Sequence, residues 1–332
     1  MTEDKSPTDC RVCGGREVLA RLHPIEMMFG MREPFTYFRC ASCGCLQLQN
    51  VPDNLGRYYP ENYYSFHPDP DPPPTLKSTL KRRLLAPIMT RQTLGRKSLI
   101  GSVLCKLLRP PPIPPWLRLL PVPIPFNTSI LDVGCGSGMS LLALRNCGFT
   151  NLLGVDPFIA RPLSYHGGVR VEKSYLNRIH GKFSLIMFHH VFEHLEDPLS
   201  ELMEARKRLN ENGQILIRIP LSDSAAAEKY QEKWVQLDAP RHITLQTRNS
   251  MEHLARKASL KITGVIYDST EFQFWGSEQY LRDIPLFSSE SHAQNPLKSI
   301  FTPDQIKNFA EQASRLNQEQ TGDQAAFILE LD

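Results

Sequence analysis

The 332-residue sequence has no apolar run approaching the ~18–20 residues that cross a bilayer. Its best candidate, SLIGSVLCKLL at residues 98–108, is short and carries Lys106, so no membrane-spanning helix is expected. The first ten residues, MTEDKSPTDC, are polar and partly acidic and do not read as a signal peptide. A cytoplasmic protein is the default expectation. A dominant charge is missing too. Thirty-eight Lys and Arg face 35 Asp and Glu, and a net +3 is too small to imply nucleic acid by itself. Locally the balance breaks: residues 72–131 hold no acid but ten Lys or Arg, beginning Lys77, Lys81, Arg82 and Arg83. No internal repeat is visible.

What is present reads as four regions: 1–67, 68–127, 128–270 and 271–332. The length allows one large core plus a smaller unit. Much of the proline (27 residues in all) sits between residues 68 and 125, where it bars regular helix at both ends of a basic connector. Between those ends, leucines at 3–4 spacing over 76–108 predict one or two helices. The third region alternates. Strands are expected at 129–133, 152–155, 169–171, 183–188, 214–220 (after a turn at Asn212-Gly213) and 260–269. Helices are expected at 139–147, 198–209 and 248–257, the second capped by Asp197 with Pro198 at its first position. The last region adds a helix near 303–316 and a strand at 325–331 returning to the sheet edge. Strand–helix–strand repetition means an α/β fold with a mostly parallel sheet covered on both faces.

In TSILDVGCGSGMSLLAL, residues 128–144, Gly134 and Gly136 occupy the turn after the first strand and Gly138 opens the helix. Glycine permits positive φ and close approach of a ligand to the backbone. The carboxyl end of that strand is where open α/β sheets bind ligands. Asp156 follows, at the end of the second strand, where a carboxylate can accept both hydroxyls of a ribose. The spacing is G-x-G-x-G, not the G-x-G-x-x-G of dinucleotide sites. Asp132, two residues before the first glycine, would repel phosphate and suits a ligand carrying an amino group.

LDVGCGSG, GVDP and FSLIMFHHVFEHLEDP, in that order, resemble class I S-adenosylmethionine (SAM)-dependent methyltransferases over residues 131–198. The resemblance implies a Rossmann-like class I sheet with an antiparallel last strand. It implies that the turn residues Gly134, Cys135, Gly136 and Gly138 line the methionine portion of SAM, that Asp132 orients its amino group and that Asp156 holds the ribose. Lys173 and Ser174 would flank the adenine, and His189 would lie close to the sulfonium.

CRVCGG and CASCGC place Cys10, Cys13, Cys40 and Cys43 in two C-x-x-C pairs, each followed by a glycine. Duplicated pairs favour a tetrahedral four-cysteine zinc site in a small zinc-ribbon-like N-terminal domain, structural because four thiolates leave no open position. Cys45 is a spare thiol; Cys105, Cys135 and Cys147 read as packing residues. A four-cysteine unit ahead of a SAM domain, with QLDAPRHITLQTRNSMEHLARKASL later, also resembles zinc-binding-domain methyltransferases, among them sugar C-methyltransferases and proteins of surface-polysaccharide clusters.

The function expected is therefore SAM-dependent methylation of a small molecule or glycan precursor such as a nucleotide- or lipid-linked sugar. Histidine is the usual base near neutral pH. His242 and His190 are the expected acceptor-site bases, with His194 and Glu193 bracing the loop after the fourth strand. Arg241 would bind an acceptor phosphate or carboxylate. Tyr58, Tyr59, Tyr63 and Tyr64 would cover the acceptor. HVFEH also spells H-x-x-E-H, but that metallopeptidase pattern needs a helix, and here it follows a strand. Two other readings stand beside this one. The first is an RNA-modifying protein, against which strand four lacks a following Asn/Asp-Pro-Pro-aromatic segment. The second is a non-catalytic SAM-fold scaffold. Nucleic acid is not the expected partner. The expected partner is the small-molecule or sugar acceptor; for residues 76–109 three readings stand, a solvated helix face, a hold on a phosphate-bearing acceptor, and a peripheral contact with anionic lipid at the inner face of the membrane.

Overall fold

A computed structural model describes residues 9–60, 71, 73–118, 120 and 124–332. The chain runs β1 (Val18–Leu22), β2 (Tyr37–Cys40), β3 (Leu46–Leu48), α1 (Leu76–Leu80), a π turn (Lys81–Leu85), α2 (Ala86–Thr93) and α3 (Leu99–Leu107). The alternating part follows: β4 (Ser129–Val133), α4 (Met139–Cys147), β5 (Asn151–Val155), β6 (Leu163–Ser164), β7 (Arg170–Glu172), β8 (Phe183–His189), α5 (Pro198–Lys207) and β9 (Leu209–Pro220). It ends with α6 (Ala225–Tyr230), β10 (Thr244–Leu245), α7 (Arg248–Lys257), β11 (Leu260–Tyr267), α8 (Phe272–Leu281), α9 (Pro303–Gln318) and β12 (Gln324–Leu331).

The large sheet has eight strands in the order β11-β12-β9-β8-β4-β5-β7-β6. Its centre is parallel: β9 with β8, β8 with β4, β4 with β5, β5 with β7. Strand β12 runs against both β9 and β11, and β6 against β7. Side chains alternate between two apolar layers, as the two-residue period of a strand requires. Leu131, Ile186, Ile217 and Phe327 face one layer, while Ile130, Leu185, Leu216 and Ile328 face the other.

Two expectations change. The last strand does not close an edge; it is inserted between β9 and β11, and its first six residues are buried. A run such as AAFIL, apolar on both faces, belongs inside a sheet. Nor do Asn212 and Gly213 make a turn: β9 runs through them, with its register against β8 shifted between Leu209 and Gln214. Asp197 caps α5 as expected, accepting from the Ser200 amide at 2.9 Å.

The N-terminal unit is not closed by its own segment. Its sheet has the order β1-β2-β3-β10, so the fourth strand comes from residues that follow β9. Cys10, Val12, Cys40, Cys43 and Cys45 pack into the same apolar layer as Met251 and Leu254 of α7.

Candidate active site

The turn after β4 is left-handed at Gly134 (φ 66°) and Gly138 (φ 83°). A Cβ on Gly134 would lie 2.5 Å from Val191 Cγ2, and one on Gly138 2.8 Å from Val171 Cγ2, so neither position accepts a side chain. Asp156 braces the turn. Its Oδ2 accepts from the Gly136 amide and its Oδ1 from the Phe158 amide, at 2.9 and 2.8 Å. Each oxygen keeps a further lone pair. Asp132, on β4 beneath the turn, is buried, and its Oδ1 has no hydrogen-bond partner. Burial, and secondly the charge of Asp156, push its carboxyl up to about 8. The hydroxyl of Ser137, inside the turn, is buried and unpartnered as well. So is Nε2 of His189, at the end of β8, whose ring meets that of Trp116 of the connector at a 45° tilt with centroids 4.6 Å apart. Burial, then the charges of Arg218 and His190, lower His189 to about 3, so its ring is neutral.

Beyond β8 the chain bends sharply. His190 is left-handed (φ 54°), an uncommon state for a residue with a Cβ and a mark of functional sites. Its amide donates to the Arg218 carbonyl at 3.0 Å. Arg218 Nη1, always a donor, lies 2.8 Å from His190 Nε2, which therefore accepts; Nδ1 then carries the proton toward Glu193 Oε1 at 3.3 Å. Glu193 is buried. Burial opposes its charge, but the His190 hydrogen bond and the neighbouring imidazoles outweigh it and hold the carboxyl down to about 2.

Two more histidines complete the cluster. His242 Nδ1 faces the Gln236 carbonyl at 2.7 Å and His194 Nδ1 the Arg241 carbonyl at 2.8 Å. A carbonyl only accepts, so both rings carry Nδ1–H and keep the Nε2 lone pair. His242 Nε2 stands 3.9 Å from Glu193 and 3.8 Å from Asp238, and the two rings meet edge-on at 4.8 Å. Burial lowers His242 to about 4. The Tyr59 hydroxyl approaches His194 Nδ1 at 3.1 Å.

Arg241 stands behind this cluster. Its guanidinium is 0% exposed and donates to Glu26 (2.9 Å), Asp238 (2.6 Å) and the Tyr58 carbonyl (3.2 Å). With those contacts and no exposure it cannot reach an acceptor phosphate, contrary to the sequence expectation. It ties the N-terminal unit to the loop that carries His242. The four cysteines brace the same loop. Cys10–Cys43 and Cys13–Cys40 sulfurs are 3.6 and 3.5 Å apart, and all four lie within 4.8 Å of one another. A tetrahedral ion with bonds of ~2.3 Å needs edges of about 3.8 Å. Gly14 and Gly44 (φ 78° each) turn the two knuckles, their amides donating to the Cys10 and Cys40 carbonyls. The quartet can hold a metal ion. Cys45 is buried outside it. Thr247 Oγ1, at the N-cap of α7, donates to the Cys43 carbonyl at 2.8 Å.

The glycine turn at the carboxyl end of β4, the acid ending β5 and the polar loop after β8 agree with what comparison finds. Residues 105–265 match the family model of a methyltransferase domain. The match covers a little under half of the chain. No curated protein is significantly similar in sequence. Solved structures resemble the chain distantly. The cyclopropane synthase MmaA2 from Mycobacterium tuberculosis shares 15% identity over 61% of this chain and 78% of that one, with a TM-score of 0.39. A SAM-dependent methyltransferase from Mesorhizobium loti shares 15% over 62% and 93%, at 0.37. The mitomycin 7-O-methyltransferase MmcR shares 10% over 62% and 49%, at 0.38.

The donor that a methyltransferase domain implies, SAM, fits the residues present. A buried acid with an unpaired oxygen, Asp132, lies next to the bare turn and suits a ligand that carries an ammonium group. Gly134, Cys135, Gly136, Gly138, Asp132, Asp156 and His189 gather at this end of the sheet; Ser174 lies two residues beyond β7, its hydroxyl 3.3 Å from the Tyr175 carbonyl. His190, His242 and Tyr59 gather around Glu193 and His194. Tyr63 and Tyr64 lie outside the described residues. Sequence reasoning missed Trp116, Ser137, Arg218, Asp238 and Glu26. Only Ser137 carried a local signal, a small polar residue between two glycines of the turn.

Proposed function

We propose that the chain is a SAM-dependent methyltransferase of a small hydroxylated acceptor, a sugar carried on a nucleotide or lipid being the leading class. The observation that carries the reading is the orphaned carboxylate of Asp132 beneath the left-handed glycine turn. Among the described residues no cation pairs with it, and a buried unpaired acid is costly unless a ligand completes it. When bound, SAM supplies an electrophilic methyl group.

The chain's own residues would do the rest. Asp132 receives the ammonium and Asp156 the ribose hydroxyls, while neutral His189 adds no positive charge beside the sulfonium. His190 is a weak candidate for base, because its lone pair is held by Arg218. His194 is the stronger one: its Nδ1–H is fixed on the Arg241 carbonyl and its Nε2 lone pair is open. Glu193, ionised beside the histidines, favours the imidazolium that forms when a base takes the acceptor's proton. His242 positions that pair from behind. The cysteine quartet holds structural zinc, four thiolates leaving no open coordination position.

The test is calorimetry with SAM and S-adenosylhomocysteine on wild type, Asp132→Asn and Asp156→Ala. Micromolar binding to wild type, weakened in both variants, supports the reading, and acceptor screening then begins with nucleotide sugars. Folded, metal-loaded wild type that binds neither ligand sinks it.

A further inference from the structure

The connector is the most unusual surface of the molecule. Seven large apolar side chains stand in solvent there: Leu76, Leu80 and Leu84 on α1 and the π turn, and Leu99, Ile100, Val103 and Leu107 on α3, between 54% and 93% exposed. The first three recur every four residues and so form one stripe. The other four follow i, i+1, i+4, i+8 and share a face of α3. Two such apolar stripes left in solvent call for a partner, because monomeric soluble proteins rarely expose large apolar patches. The two helices are locked together. Gln92 of α2 bonds the Ser98 amide and the Ser102 hydroxyl, and Gly101 lets α3 approach so closely that a Cβ there would meet Gln92 Oε1 at 2.7 Å.

The same segment carries ten Lys or Arg and no acid. Among the described residues, no ion pair engages any of the ten. Three of them, Arg91, Arg96 and Arg118, line a cleft of about 300 Å³ whose apolar wall includes Leu94, Ile124 and Phe149. Arg91 lies over the Phe126 ring at 5.2 Å. Three arginines and an apolar wall lining one cleft are complementary to a phosphate headgroup with an apolar tail. A second copy of the chain is disfavoured as the occupant, since a symmetric contact would set ten like charges against ten.

We propose that α1, α2 and α3 form a docking face for an anionic lipid bilayer, with the arginine cleft receiving a lipid phosphate. The exposed leucines, isoleucine and valine enter the interface, and the basic residues flank them at headgroup level. Donor binding does not enter this inference, so the face stands or falls independently of methyl transfer.

The experiment is flotation of the full chain with vesicles of phosphatidylcholine alone or with about a third phosphatidylglycerol. Wild type should float with the anionic vesicles and not with the neutral ones, less so as salt rises. Replacing Arg91, Arg96 and Arg118 together by Gln should lower partitioning roughly 100-fold. Replacing Leu99, Ile100, Val103 and Leu107 by Ser should abolish flotation while circular dichroism stays unchanged, because these side chains are solvated. No flotation of wild type overturns the proposal, and so does equal flotation of both variants. Inorganic phosphate binding in the cleft without vesicle binding overturns it in favour of a free anion. A wild-type dimer in light scattering that the Ser variant makes monomeric, again without flotation, identifies a second copy as the occupant.

Discussion

The two halves of the ligand face differ in how their polar groups are satisfied. At the glycine turn and the adjoining end of β8, Oδ1 of Asp132, the Ser137 hydroxyl and Nε2 of His189 are buried and unpaired. Around the loop that carries His242, Arg241 and Glu26 are fully buried and Asp238 nearly so, but they bond one another: Arg241 donates to both acids, and Glu26 also accepts from the Phe29 and Met31 amides at 3.0 and 2.8 Å. Burial works against the charge of Asp238, yet Arg241 and His242 hold it below the usual carboxylate range. A buried polar group with protein partners is frame; a buried polar group without them is where a ligand completes the structure. Asp132 and Asp238 are the same residue type with opposite shifts, and that contrast can be attacked from either side.

Metal removal should strike the frame hardest. Chelation, or Cys43→Ser, would release the knuckle whose carbonyl receives Thr247 and whose strand β3 pairs with β10. Unfolding of the N-terminal sheet and loss of methyl transfer are expected, because structural zinc binding is largely folding free energy. A stoichiometric zinc assay with thermal melts checks this. An unchanged melt after complete stripping would separate the quartet from the frame.

Arg241→Met comes next. It leaves Glu26 and Asp238 buried without a counter-charge and should cost about 3–5 kcal/mol in denaturant unfolding. Were Arg241 an acceptor ligand instead, the variant would keep its stability and lose only KM for the acceptor.

His194→Gln keeps a hydrogen-bonding side chain but removes the basic lone pair. It should lower kcat roughly 100- to 1000-fold once an acceptor is found, with SAM affinity unchanged. His190→Gln should cost less, because the Arg218 contact already occupies its lone pair. Equal losses in both would mean that the histidines act as a single positioning unit.

Much of this was legible in the sequence. The strands at 129–133 and 183–188, the helices at 139–147 and 248–257, and the cysteine quartet follow from local patterns: apolar runs, glycine caps and paired knuckles. What was not legible depends on contacts between distant segments. Arg241 looked like a free cation because Glu26, 215 residues away in the chain, gives no local sign of facing it. His190 looked like a base because Arg218 meets it only once β8 and β9 pair. The end strand β12 was placed at an edge because sequence order does not show that a chain's last strand inserts between two earlier ones.

The last prediction is also the sharpest test of the opening contrast. Asp132 ionises near pH 3.9 when unfolded but at about 8 in the fold. Between those values the folded chain holds the extra proton, so this residue lowers stability as pH rises, by at most about 1.4 kcal/mol per pH unit. His242 and His189, lowered to about 4 and about 3, act the opposite way: stability is lost as pH falls below about 6.5, where the unfolded rings become charged. Wild-type stability should therefore be greatest in mildly acidic solution. Asp132→Asn removes the decline that Asp132 causes, so the stability difference between variant and wild type should widen from pH 4 to pH 8 and then level off. The same variant should bind SAM roughly 100-fold more weakly, having lost a charge-assisted contact. A stability difference that is flat with pH would mean that Asp132 is already paired in solution, and the contrast between an unfilled site and a filled frame would fail at its central residue.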